Sequence, residues 1–99
     1  MTVAEAMKKM ILLSNGNRHD INHFLKVHAY VAAIGACEGL PEDTLQTLEL
    51  AAIVHDIACP LCREKYGTTN GKYQELEGAP LTREFFAGTD VPTEQLERI

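Results

Sequence analysis

The run Leu48–Val54 is apolar at every position except Glu49, and two polar residues, His55 and Asp56, follow it directly. A helix that is apolar around most of its circumference must be covered by its neighbours, so this run predicts the central element of a helical bundle. A histidine and a carboxylate this close to a core need partners, because an unpaired buried charge is very costly. A divalent cation suits both side chains, so the end of this helix is a candidate metal site.

Helical signals also cover the first third of the chain. Thr2 and Glu5 have the spacing of a capping box, and the helix that they open should stop in the turn-rich cluster Ser14–Asn17. Asp20 is the expected N-cap of a long second helix that runs to about Glu38.

Proline and glycine divide the rest of the chain into further short helices. The expected boundaries are Pro41 (start of the third helix), Pro60 (a restart), the loop 67–71, a break at Gly78-Ala79-Pro80, a short helix Pro80–Ala87, and a last start at Pro92–Thr93. No segment alternates β-branched and polar residues in the manner of a strand. The sequence therefore predicts one all-α domain over residues 1–99, a bundle of about five to six helices.

Charge and cysteine content exclude some classes of partner and location. The chain has 99 residues and a net charge of −5, which argues against nucleic acid and anionic membrane as partners because both favour clustered Lys and Arg. Its uninterrupted apolar stretches are shorter than a membrane span. Three cysteines in a chain without an export signal favour reduced thiols and a cytoplasmic location.

His23 and His28 lie in the predicted second helix, and His19 directly precedes its expected N-cap Asp20. Helical periodicity places His28 on the apolar face, together with Phe24 and Gly35, so periodicity alone favours it over His23 as the inward-facing histidine. His19 lies one turn before His23, and a metal site formed by that pair is conceivable.

Two segments resemble the first two motifs of the HD-domain metal-dependent phosphohydrolases. They are His23-Phe24-Leu25-Lys26-Val27 and Leu50-Ala51-Ala52-Ile53-Val54-His55-Asp56-Ile57. In that family a histidine followed by a basic residue and valine precedes a His-Asp pair by about thirty residues, and a distant Asp follows. The resemblance implies an HD-like helical bundle in which His23, rather than His28, binds a metal together with His55 and Asp56.

The late carboxylates Asp90, Glu94 and Glu97 do not match the last motif of the family. The resemblance therefore implies an HD domain without its C-terminal part, either as a fragment of a longer protein or as a truncated form. A metal held by three protein ligands remains chemically possible, with water in the open positions.

The resemblance also implies an activity. A divalent ion (Mn, Fe, Co, Ni, Mg or Zn) would activate a water for hydrolysis of a phosphomonoester, nucleotide or cyclic nucleotide, with Asp56 as the catalytic carboxylate. Lys26 and Lys72 are the first candidates to contact the small phosphorylated substrate, with Arg18 as a third.

Two alternatives remain open at this point. The chain could be an inactive HD-like module for interaction or sensing, with a homodimer as one possible form. It could also be a small zinc or redox protein built on Cys59-Pro60-Leu61-Cys62, with Cys37, His55 or Asp56 as further ligands. The redox interpretation expects Cys59 at a helix N-terminus, which lowers the pKa of a thiol.

Overall fold

The predicted all-α class is confirmed, since the computed structural model describes all 99 residues as six helices and connecting turns, with no strand. In chain order the helices are α1 (Val3–Leu13), α2 (Arg18–Cys37), α3 (Glu42–Val54), α4 (Cys59–Tyr66), α5 (Gly71–Phe86) and α6 (Thr93–Arg98).

Helix α3 forms the centre of the fold, as its apolar sequence predicts. Leu50 and Ile53 are fully buried, and α1 and α2 both pack along this helix. The core is completed by apolar residues of α1, α2 and α5: Ala6, Met10, Phe24, Phe85 and Phe86. Helix α2 approaches α3 closely at Gly35, where a Cβ atom would overlap the end of the Leu45 side chain and require it to move.

The helix starts follow their caps, with one correction. The predicted capping box is present: the Glu5 N–H donates to the Thr2 hydroxyl at 3.1 Å, and the Thr2 N–H donates to the Glu5 carboxylate at 2.9 Å. The prediction of Asp20 as the N-cap of α2 is wrong. Asn17 caps this helix, because its side-chain oxygen accepts the Asp20 N–H at 3.0 Å. Asp20 therefore lies inside the first turn, where its carboxylate is free to pair elsewhere.

The predicted break at Gly78-Ala79-Pro80 is also wrong, since α5 continues through these residues as one helix. Proline has no N–H and therefore removes the helical hydrogen bond to Leu76. Both Pro80 and Leu76 are exposed, so water can solvate the freed carbonyl group. Burial of Phe85 and Phe86 in the core holds the far end of the helix in place.

Helices α4 and α5 form a pair of their own. The rings of Tyr66 and Tyr73 stack with their centroids 4.0 Å apart. Glu77 of α5 accepts hydrogen bonds from the Tyr66 hydroxyl at 2.7 Å and from Lys65 Nζ at 2.9 Å. These contacts hold α4 against α5. The predicted restart at Pro60 and the last helix from Thr93 are both present.

One segment, Glu42–Tyr66, is long and apolar enough to cross a membrane by length and composition. It runs from α3 through a turn into α4, and half of its apolar window is buried inside the protein. Because the core helix of a soluble protein meets the same criteria, this segment is weak support for a membrane location.

Candidate metal centre

The three ligands expected from the resemblance meet at one point of the surface. His55 Nε2 lies 3.0 Å from Asp56 Oδ2, and His23 Nε2 lies 3.1 Å from the same oxygen. The two imidazole Nε2 atoms are 3.3 Å apart. Of all the His, Cys, Asp and Glu side chains, these three form the one group whose ligand atoms converge, within 4.8 Å of one another.

Each of the two histidines is adjacent to a core residue that holds it in position. His23 lies in the second turn of α2, directly before the buried Phe24. His55 directly follows the buried Val54 at the end of α3. Successive helical side chains diverge by about 100°. Anchoring Phe24 and Val54 in the core therefore turns the neighbouring histidines toward the surface.

Asp56 is held by a tight turn between α3 and α4. The Ile57 N–H donates to the Val54 carbonyl, and the Cys59 N–H donates to the Asp56 carbonyl, both at 3.0 Å. Ala58 in this turn is buried, so the turn packs against the interior. Two consecutive ligands on a hydrogen-bonded turn have little freedom to separate.

A backbone contact fixes the tautomer of His55. Its Nδ1 atom lies 2.6 Å from the Ala52 carbonyl oxygen. Because a carbonyl oxygen can only accept, Nδ1 carries the hydrogen and donates it. In the neutral ring the Nε2 lone pair is then free and faces His23 and Asp56. A histidine that binds a metal is oriented in this way by a partner of its other ring nitrogen.

The spacing of the three atoms fits a first-row divalent ion. With metal–ligand distances of about 2.0–2.1 Å, neighbouring ligand atoms lie about 2.8–3.4 Å apart in octahedral or tetrahedral arrangements. The observed separations of 3.0, 3.1 and 3.3 Å fall within that range. The side chains of His23, His55 and Asp56 are 47, 33 and 32% exposed, which leaves one side of the cluster open to water or substrate.

The other two helical histidines are not ligands in this arrangement. His28 Nε2 donates to Glu49 Oε1 at 3.0 Å, and this pair links α2 to α3 at a half-buried position. His19 is 90% exposed and lies near Asp20, with Nδ1 3.7 Å from its carboxylate. Periodicity therefore identified the more buried histidine, and the spacing of the family motif identified the one at the cluster.

The cysteines lie outside the cluster. Cys59 and Cys62 are buried, Cys37 is exposed, and all three are free thiols. The predicted lowering of the Cys59 pKa is wrong: burial, reinforced by the negative charge of Asp56, raises the pKa of this thiol to about 11. No sulfur atom joins a group of converging ligands, so the zinc alternative has no donor set in this arrangement.

The basic residues near the cluster differ from those expected. Lys26 and Lys72 are exposed, and neither forms an ion pair or a side-chain hydrogen bond, so their contact with a substrate stays a prediction. Sequence reasoning missed Arg63 of α4, which pairs through both amino groups with Asp20 of α2. The two residues are 43 positions apart, and no local periodicity relates them.

A cleft of about 440 Å³ lies against His55, between the end of α3 and helices α5 and α6. Its lining is about half apolar, and its polar residues include Gln74, Thr82 and Arg83. The late carboxylates do not reach the ligand cluster. Asp90 pairs with the amino terminus, and Glu97 Oε1 lies 4.0 Å from Arg83 Nε.

Comparison of the chain with protein-family models, with curated proteins and with solved structures finds no match. The HD-domain resemblance therefore rests on the residues quoted above.

Proposed function

We propose that this chain carries the divalent-metal centre of an HD-type phosphohydrolase, with His23, His55 and Asp56 as the protein ligands. One observation carries the proposal. Two imidazole nitrogens and a carboxylate oxygen, supplied by elements 32 residues apart in sequence, converge at 3.0–3.3 Å on an open surface.

His55 and Asp56 would have different roles at this site. His55 is held in one tautomer by the Ala52 carbonyl and presents its Nε2 lone pair without rearrangement. Asp56 contributes a negative charge between the two rings. A bound divalent ion would supply a Lewis acid that makes a water nucleophilic at neutral pH and offsets negative charge on a phosphate. The open side of the cluster leaves space for both.

The cleft beside His55 suits the remainder of a small substrate. Its volume of about 440 Å³ lies in the usual range for small-molecule sites. A lining that combines apolar and polar residues could hold the organic part of a phosphate ester. The wall carries Glu75 and Glu97 as well as Arg83, so its charge does not favour several phosphate groups.

The small number of protein ligands supports a second candidate function, metal binding without catalysis. The cluster has three protein ligands, and no late carboxylate joins them. A metal-binding module for interaction or sensing, without turnover, would need no more than this.

Metal analysis of the purified protein tests the proposal. We expect about one equivalent of a transition metal after loading with Mn²⁺ or Co²⁺. The equivalent should be lost in His55→Gln and Asp56→Asn and retained in His19→Gln, a control that alters an exposed histidine of α2. A protein that binds no metal and whose melting is unchanged by chelation would contradict both functions.

A phosphatase screen then separates the two functions. The substrates are a chromogenic phosphomonoester, nucleoside monophosphates and cyclic nucleotides, each with Mn²⁺, Co²⁺, Ni²⁺ and Mg²⁺. Turnover that disappears in Asp56→Asn supports hydrolysis. Metal binding by the wild type without turnover of any substrate supports the binding module.

A further inference from the structure

An ion pair connects the two parts of the chain that carry the metal ligands. Asp20 lies three residues before His23 in the first turn of α2, and Arg63 lies seven residues after Asp56 in α4. Arg63 Nη1 donates to Asp20 Oδ1 at 3.3 Å, and Nη2 donates to Oδ2. Two parallel bonds between a planar guanidinium and a carboxylate fix orientation as well as distance.

Little else joins these two helices. The close helix pairs are α2 with α3, α1 with α3, α4 with α5, and α1 with α2. Helix α2 is therefore held along its length by α3, whereas the position of its first turns relative to α4 depends on side chains. Asp20 is well placed for this task, because the Asn17 cap holds its backbone N–H at 3.0 Å.

We propose that Arg63 is a positioning residue of the metal centre, which through its paired contact with Asp20 sets the distance between His23 and the His55–Asp56 turn. This inference rests on the metal centre proposed above. Asp20 lies one helical turn before His23, whereas Arg63 lies seven residues after Asp56, and neither contacts the three ligand atoms.

The charges of Asp20 and Asp56 both act on the Arg63 guanidinium, in agreement with a position close to the metal centre. Hydrogen bonding to Asp20 is the main cause that raises the pKa of Arg63, and the charge of Asp56 contributes in the same direction. Arg63 is thus within electrostatic reach of a ligand, although it pairs with another carboxylate. Its side chain is 42% exposed, and exposed ion pairs contribute little to global stability. The effect should therefore appear in metal affinity and only weakly in melting temperature.

Another ion pair of the same helix provides a matched control. Lys65 lies two residues after Arg63 and pairs with Glu77 of α5 at 2.9 Å. Two residues correspond to about 200° around a helix, so Lys65 and Arg63 project from opposite sides of α4. Removal of the Lys65 charge perturbs α4 by a similar amount without touching the link to α2.

The experiment measures Co²⁺ affinity, the visible spectrum of bound Co²⁺ and the melting temperature in each variant. We expect Asp20→Asn and Arg63→Met each to weaken Co²⁺ binding by up to about 10-fold, the lower limit for substitution of residues that hydrogen-bond a metal ligand directly. The double variant should bind no more weakly than either single variant. Arg63→Lys keeps the positive charge but cannot donate two parallel hydrogen bonds to Asp20, so it should also weaken Co²⁺ binding. Lys65→Met should bind as the wild type does.

Three results would overturn the inference. Asp20→Asn and Arg63→Met could bind Co²⁺ with wild-type affinity and spectrum. Lys65→Met could lose as much affinity as they do, which would indicate a general loosening of α4. A wild-type protein that binds no Co²⁺ would overturn the proposed function together with this inference. If the wild type binds Co²⁺ and the Asp20 and Arg63 variants bind it equally well, only the inference is overturned.

Discussion

Replacement of His28 and of His23 by leucine should separate a structural histidine from a ligand on the same helix. The two residues are five positions apart in α2. His28 donates to Glu49 at 3.0 Å, with side chains that are 13% and 19% exposed. His23 faces His55 and Asp56 and is 47% exposed. We expect His28→Leu to lower the free energy of unfolding and to leave metal binding intact. We expect His23→Leu to abolish metal binding and to leave the free energy of unfolding almost unchanged.

The magnitudes follow from burial. A hydrogen bond to a charged group contributes about 1.5–3 kcal/mol. Water can reach the Glu49 carboxylate in part, so we expect His28→Leu to cost about 1–2 kcal/mol, around or slightly below the lower limit of that range. For a domain of this size the melting temperature should then fall by about 4–16 °C. His23→Leu alters a half-exposed side chain and should change the free energy of unfolding by less than about 0.5 kcal/mol.

Thermal melts followed by far-UV circular dichroism, with Mn²⁺ and with a chelator, provide the assay. A metal at about 100 times its Kd stabilises the folded state by about 2.7 kcal/mol. The melting temperature should therefore rise by about 10–20 °C in the wild type and in His28→Leu, but not in His23→Leu. If the metal-dependent rise is instead lost in His28→Leu and kept in His23→Leu, the assignment of the α2 ligand is wrong.

Two further predictions concern the thiols and the core. In the native protein a thiol reagent should modify Cys37 rapidly and reach the buried Cys59 and Cys62 only after unfolding in denaturant; rapid reaction of all three would contradict the burial and the raised pKa of Cys59 at about 11. Ile53→Val, at a residue that is 0% exposed, should cost about 0.5–1.5 kcal/mol in chemical denaturation. The same change at Ile34, which is 63% exposed, should cost less than about 0.5 kcal/mol, and equal costs would show that α3 is not the core helix.

Local signals were sufficient to predict most of the helices. The capping box at Thr2, the helix start after Pro41 and the burial of α3 depend on residues within a few positions of one another. The errors arose where tertiary structure overrides local preference. Pro80 interrupts the hydrogen bonding of α5, yet exposure to water and the burial of Phe85 and Phe86 keep the helix continuous.

The candidate site was predicted unevenly for a related reason. The spacing of His23, His55 and Asp56 could be compared with a family motif, and the structure brings these residues together. Arg63 could not be found in this way, because its pairing with Asp20 depends on how α4 packs beside α2. The incorrect assignment of Asp20 as an N-cap had the same origin. A carboxylate near a helix start can serve as a cap or lie in the first turn and pair elsewhere, and Asn17 decides between these roles.

The three proposed metal ligands are attached to the core by different elements: His55 and Asp56 by the end of α3, and His23 by α2. His55 and Asp56 follow Val54 on one hydrogen-bonded turn, so any change that shifts the end of α3 moves both together. His23 is placed by a different helix next to the buried Phe24, and we propose that the link between Asp20 and Arg63 also sets its position. Small displacements of α2 therefore alter the distance from His23 to the pair while the distance within the pair is kept. Metal affinity at this centre should depend more strongly on the attachment of the first turns of α2 than on the overall stability of the bundle.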